Sequence, residues 1–443
     1  MARPADLPGL PPAEHARRRR QVLERIEGGV MILPAGRPPA YSRDVEHRHR
    51  PDSDFLWVTG YPEPEAIAVL RPDADNPYTL FVLPRDPAKE TWTGRRLGPE
   101  GARERFGADA AFPLADFARM LPDLLDGAER LWYAPWRHPD LDRRVREALE
   151  TLRGRERFGR RAPGILADPG LLLHELRLVK SPAELELLAE ACRVSAAGHL
   201  AGIARCRPGV TERQVQAAIE QVFLDRGAVG PGYPTIVGAG ANGCILHYVE
   251  NSATIGEDDL VLVDAGAELG GYNGDITRTF PAGGRFLPAQ RALYELVLAA
   301  EEEAIAATRP GATIDGIHEG VLRTLSRGLV ELGLLEGPWE QVLEEKRYER
   351  YFMHRTSHWL GMDVHDVGNY REDGVSRPLV PGMVLTIEPG LYVPPDDETV
   401  PPEFRGQAVR IEDDVVVTEE GCRVLTRDVP VDPDELAGLV GRG

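Results

Sequence analysis

At 443 residues the chain is too long for one ordinary hydrophobic core, so two domains are expected. Lys+Arg 52 against Asp+Glu 71 leaves a formal charge of −19, read as a solvated acidic surface that excludes nonspecific binding to nucleic acid or to anionic membranes. Cys192, Cys206, Cys244 and Cys422 have no CxxC spacing, which fits a reducing cytoplasm better than a disulfide framework or a zinc finger.

A Pro-rich leader opens the chain. It has no apolar signal-peptide core, and no apolar run is long enough to span a bilayer, so a cytoplasmic location is expected. A mitochondrial presequence is the alternative, against which Asp6 and Glu14 stand. Residues 14–27 read as a helix and 30–33 as a buried strand. Strands are then expected at 54–58, 66–70 and 78–83, alternating with helices near 99–106, 114–126 and 140–153, which makes an α/β domain. Its chemistry is thin: His47 and His49 read as a solvated loop rather than an anion site, and Trp92 as a core aromatic or as an interface or substrate one. Residues 154–176, rich in Arg, Gly and Pro, read as the connection to a second domain, giving boundaries of 1–176 and 177–443.

The second domain begins with two capping boxes, Ser181 with Glu184 and Thr211 with Gln214, each opening an amphipathic helix. Residues 260–267 and 275–280 are apolar, β-branched runs around a Gly-rich segment, and so a hairpin. With Leu269 and Gly270 as the turn, Asp264 and Asp275 face each other across the ladder. Opposed like charges destabilise a sheet, so the pair calls for a cation or a shared proton. Helices follow at 288–308 and 313–332. The run Val384 to Gly390 echoes Val261 to Gly266, an apolar strand ending in a carboxylate; Glu388 and Glu412 then correspond to the aspartates.

Three of the eleven histidines, His354, His358 and His365, fall between these hairpins. His354 and His358 are four apart, but no Glu follows the first, so a zincin helix is a poor match. Four carboxylates at strand positions with one imidazole suit two divalent cations such as Mn²⁺, Co²⁺ or Zn²⁺. Bridging carboxylates hold such ions about 3.5–4 Å apart, where they activate a shared water and polarise a carbonyl. The bland alternative, a set of surface turn acids, conflicts with the strongly apolar strands around Asp264, Glu388 and Glu412.

Seven ordered motifs carry a family resemblance: Asn242 to Tyr248, Val263 to Gly266, Gly274 to Phe280, Ser357 to Gly361, Asp363 to Gly368, Ile387 to Tyr392 and Arg410 to Asp414. Together they resemble the bacterial proline aminopeptidases (Xaa-Pro aminopeptidases) among the pita-bread metallopeptidases, and Asp52 to Phe55 and Trp92 to Gly98 resemble their amino-terminal domain. The resemblance implies an α/β (α+β) chain, with a creatinase-like α/β domain followed by a pita-bread domain whose curved antiparallel sheet is covered by helices. It implies two metal ions, most simply Mn²⁺, held by Asp264, Asp275, His358, Glu388 and Glu412, with Asp275 and Glu412 bridging. A hydroxide between the ions would attack the carbonyl of the first residue, Glu388 taking its proton and His365 stabilising the tetrahedral intermediate. His247, His354 and Arg410 match positions on the proline side, although Arg410 also reads as an ion-pair partner for Glu412 and Tyr392 as packing. Arg355 stands where the family commonly has Gly, at the rim of the pocket. The implied substrates are peptides with proline second, and the implied assembly is a homotetramer or homodimer. Prolidase, cutting only Xaa-Pro dipeptides, is the alternative; Ser357 before the ligand histidine argues against it, because prolidases usually have Gly there. A catalytically inactive peptide-binding module is a further alternative, against which the complete ligand set stands.

Overall fold

The computed structural model describes residues 9–442, so the first eight residues of the Pro-rich leader lie outside the described residues. The chain divides into two compact units, one over Leu10–Leu176 and one from Arg177 onward.

In the first unit a six-stranded mixed sheet runs in the order Ala110–Pro113, Tyr78–Val82, Ile67–Leu70, Gly29–Pro34, Arg130–Trp132, Ile165–Ala167. The strands Ile67–Leu70 and Tyr78–Val82 are buried along their whole length, as continuous apolar runs covered on both faces should be. Phe117, Leu121 and Leu125 of one helix and Leu141, Val145, Ala148 and Leu152 of another pack on one face of the sheet.

Three expectations change here. Residues 54–58 are helical, not a strand: Asp52 caps the Ser53–Thr59 helix by accepting from the N–H groups of Asp54 and Phe55, and Gly60 ends it in the left-handed region. A five-residue apolar run fits either period, and the cap decides. Residues 154–176 are more than a connection, since Ile165–Ala167 pairs parallel with Arg130–Trp132 as the sixth strand. Trp92, on the short helix Pro87–Thr93, is 88% exposed and takes no part in the core. His47 is exposed as expected of a loop, while the ring nitrogens of half-buried His49 have no hydrogen-bond partner among the described residues.

In the second unit both capping boxes form as the sequence predicts, on the Pro182–Arg205 and Glu212–Asp225 helices. Antiparallel strands Ile236–Ala239, Leu260–Asp264 and Thr277–Pro281 make one sheet, and Val384–Ile387, Asp413–Val417 and Cys422–Val424 make another. The two meet at a bridge between Thr277 and Glu412, where the Glu412 N–H donates to Thr277 O at 3.1 Å. Helix Pro182–Arg205 lies against the first hairpin: His199 Nε2 is 3.0 Å from Ala265 O, and the Ala267 N–H donates to Ser195 Oγ at 2.8 Å.

The first hairpin turns at Gly270–Gly271, one residue beyond the expected turn. Both glycines have positive φ, 61° and 88°, the geometry of a two-residue hairpin turn matched to strand twist. Leu269 therefore pairs with Tyr272, and Asp264 pairs with Thr277 rather than with Asp275. Moving the turn by one residue moves the register by two, so Asp264 and Asp275 keep the same face as diagonal neighbours. Gly266 is required opposite Asp275: a Cβ there would lie 1.7 Å from Gly274 O. The second hairpin keeps one register through Ile387–Asp413 and Gly390–Arg410, so Glu388 and Glu412 do fall opposite each other.

Candidate metal centre

All nine singled-out residues, His247, Asp264, Asp275, His354, His358, His365, Glu388, Arg410 and Glu412, line one cavity of about 880 Å³. At its floor, Asp275, His358 and Glu412 each offer a ligand atom within 4.8 Å of the others. His358 Nε2 lies 3.5 Å from Asp275 Oδ2 and 3.5 Å from Glu388 Oε1. His358 Nδ1 is 3.0 Å from Trp359 O, and donating there leaves Nε2 for the carboxylate side. The loop of residues 352–366 that carries these histidines is irregular, so His354 and His358 are not one turn apart on a helix.

Each carboxylate is held by a neutral or cationic donor. The Tyr233 hydroxyl sits between the aspartates, 2.6 Å from Asp264 Oδ1 and 2.5 Å from Asp275 Oδ1. The Thr277 hydroxyl donates to Glu412 Oε2 at 2.6 Å, and the Thr386 hydroxyl to Glu388 Oε1 at 3.2 Å. Arg410 Nη2 donates to Asp264 Oδ2 at 2.7 Å, its Nε to Thr277 Oγ1 and its Nη1 to the Tyr392 hydroxyl. The ion-pair partner of Arg410 is thus Asp264, not Glu412, because Thr277 stands between the guanidinium and Glu412. Tyr392 both packs in the core and bonds the site, lying 2.8 Å from His354 Nε2.

The electrostatics are those of a site built for positive charge. Burial raises the pKa of Asp264, with Arg410 opposing and Asp275 reinforcing the shift. Burial likewise pushes Glu388 up to about 7 against His358 and Arg410, and lifts Glu412 well above the carboxylate range, with Asp275 adding to it. For His358, burial disfavours the cation, but the hydrogen bond to Asp275 and the charge of Glu388 outweigh it and push the pKa up to about 9. Burial lowers His354 to about 4, helped by Arg410, and partial burial and His358 lower His365, whose ring stacks edge-on at 4.5 Å from that of His358. Four carboxylates around one guanidinium and one imidazole remain short of cation, and an oxygen-rich set of this kind fits divalent ions.

Sequence reasoning missed Tyr233, Thr277 and Thr386. Thr277 was within reach, two residues from Asp275 and so on its face of the strand. Tyr233 has no periodic signal; it lies in an irregular stretch and reaches the aspartates only through the fold. At the mouth, Arg355 pairs with Asp315, as does Arg371 Nη2 at 2.5 Å, so the rim residue is fastened across the opening.

The model of metallopeptidase family M24 matches residues 186–419, and that of the aminopeptidase P amino-terminal domain matches residues 15–132. The chain is 43% identical to the Xaa-Pro aminopeptidase of Escherichia coli K12, covering 96% of this chain and 97% of that one. It is 34% identical to human Xaa-Pro aminopeptidase 3, covering 98% and 87% respectively. Among solved structures, Pseudomonas aeruginosa aminopeptidase PepP superposes with a TM-score of 0.96 at 46% identity, over 97% of this chain and 98% of that one. Zn-substituted E. coli aminopeptidase P in complex with product superposes at 0.94 with 42% identity, over 98% of each chain. The two-part fold implied by the sequence motifs, an α/β domain followed along the chain by a pita-bread domain, is the fold observed.

Proposed function

This chain belongs to metallopeptidase family M24, and on that premise we propose how its residues serve a metal-dependent aminopeptidase that releases the first residue from peptides with proline second. The observation that carries the reading is the convergence of four carboxylates and His358 at the floor of one cavity whose walls hold His247, His354, His365 and Arg410. Asp264, Asp275, His358, Glu388 and Glu412 would hold two divalent ions, Mn²⁺ by preference. Bound there, the ions supply an activated water and a polarised carbonyl.

The chain's own groups do the rest. Glu388, lining the cavity beside His358, would take a proton from the attacking water and pass it to the leaving proline nitrogen. His365, which lines the cavity edge-on to His358, would donate an N–H to the oxygen on which charge develops. Asp264 faces the free amine of the substrate, which confines cleavage to the amino end. His247, His354 and Arg410 flank the proline, and the Tyr392 hydroxyl fixes the last two. The catalytic domain runs from residue 177, and the working form is a homotetramer or homodimer in the cytoplasm. Among the described residues no helix is long and apolar enough to cross a membrane.

Offering Arg-Pro-Pro and Gly-Pro tests the specificity. Release of arginine from the tripeptide is expected; cleavage of the dipeptide alone would make the enzyme a prolidase.

A further inference from the structure

Glu212 has no part in the reading above, yet its burial and its partners are unusual. The side chain is fully buried at the first position of the Glu212–Asp225 helix, where the helix dipole favours a negative charge. A buried carboxylate needs several donors. Glu212 has four, and all come from the segment of residues 239–253. Oε1 accepts from the Ala239 N–H at 2.9 Å and from Asn242 Nδ2 at 3.0 Å. Oε2 accepts from the Tyr248 hydroxyl at 2.9 Å and from the Ala253 N–H at 2.8 Å. The Glu212 N–H in turn donates to Ala253 O at 3.0 Å.

His247 lies inside this segment, next to Tyr248, and lines the catalytic cavity. Tyr248 packs in the cluster of Ile236, Leu262, Tyr392 and Ala408, with Cys244 and Leu246 against it, whereas Ile245 and Val249 on either side of His247 are 54% and 51% exposed. One helical turn beyond Glu212, Gln216 Oε1 accepts from Asn251 Nδ2 at 3.0 Å. Asn251 is itself buried in the left-handed region at φ 47°. Two side chains four residues apart on one helix thus fasten the same segment.

We infer that Glu212 is a positioning residue for His247: the buried carboxylate clamps residues 239–253 so that this histidine meets the substrate. The inference rests on the proposed role of His247. In Glu212→Gln the shape is kept, but the amide NH₂ must face one of the two donor pairs. Each pair contains a backbone N–H that cannot reverse, so one backbone hydrogen bond of the clamp is lost whichever way the amide turns.

The test is a double-mutant cycle on the full-length, metal-loaded enzyme with Arg-Pro-Pro, using Glu212→Gln, His247→Ala and both together. Glu212→Gln is expected to lower kcat/KM about tenfold with metal content and circular dichroism unchanged, because small displacements of a contacting group are costly. It should also speed amide hydrogen exchange in residues 240–253, and it should cost almost nothing further in the His247→Ala background. Full activity of Glu212→Gln beside an impaired His247→Ala overturns the clamp alone, as do fully additive losses. Full activity of His247→Ala overturns the role of His247 and the inference with it. If Glu212→Gln does not fold, Tyr248→Phe removes a single donor; the same non-additivity supports the inference and additive losses overturn it.

Discussion

Asp275 is held from three sides. Its Oδ1 meets the Tyr233 hydroxyl, its Oδ2 faces His358 Nε2 at 3.5 Å, and its N–H donates to Asp414 Oδ2 at 2.9 Å. Replacing it by Asn keeps the shape and the backbone bond but removes a charged group proposed as a metal ligand. Asp275→Asn is therefore expected to lower turnover at least about a hundredfold and to reduce bound metal while leaving the far-ultraviolet spectrum unchanged. Retained turnover with a full metal complement would reject its bridging role. Asp275 was legible because a hairpin that sets it against Asp264 brings two like charges together and calls for a cation. Tyr233, which shares its proton between the same aspartates, was not, since a tyrosine in an irregular stretch shows no period and no charge anomaly.

At the scale of elements, helix starts were legible wherever a side chain caps its own backbone, as at Ser181 and Thr211. The cap at Asp52 escaped notice because the short apolar run behind it matched a strand equally well. The hairpin turn depended on which glycines take positive φ, and Gly270 with Gly271 differs from Leu269 with Gly270 by one residue only. Packing between elements also creates titrations that sequence does not reveal. Glu301, on the Pro288–Ala307 helix, is 1% exposed, and its Oε1 has no hydrogen-bond partner among the described residues. Burial pushes its pKa up to about 9, with Asp413 adding to the shift and Arg278 opposing it. Between the ordinary value of 4.5 and about 9 the folded protein holds a proton that the unfolded chain releases, so this group's contribution to stability is lost as pH rises through that window. Glu301→Gln carries no such proton, and its Tm relative to the parent is expected to improve steadily from about pH 5 to about pH 8. A difference independent of pH would show that the buried carboxyl is not protonated.

For the whole molecule, the proposed ligands of the candidate centre come from two hairpins and one irregular loop of the same unit. Ions bound there stabilise the folded state by mass action, since the unfolded chain does not assemble the site. Chelation is expected to abolish activity and to lower Tm by several degrees, both restored by Mn²⁺. An unchanged melting curve after verified metal removal would mean that the carboxylates are neutralised in some other way. The sequence by itself determined the local parts: capped helices, apolar strands, the carboxylates and histidines, and the motifs that assign the family, because each is written within a few consecutive residues. Only the tertiary structure decided that Asp264 pairs with Thr277, that Arg410 reaches Asp264 rather than Glu412, and that the Thr277–Glu412 bridge joins the two hairpins into one site. Those outcomes depend on register and on contacts between distant segments, where a shift of one residue in a turn costs little locally yet changes every partner across the ladder.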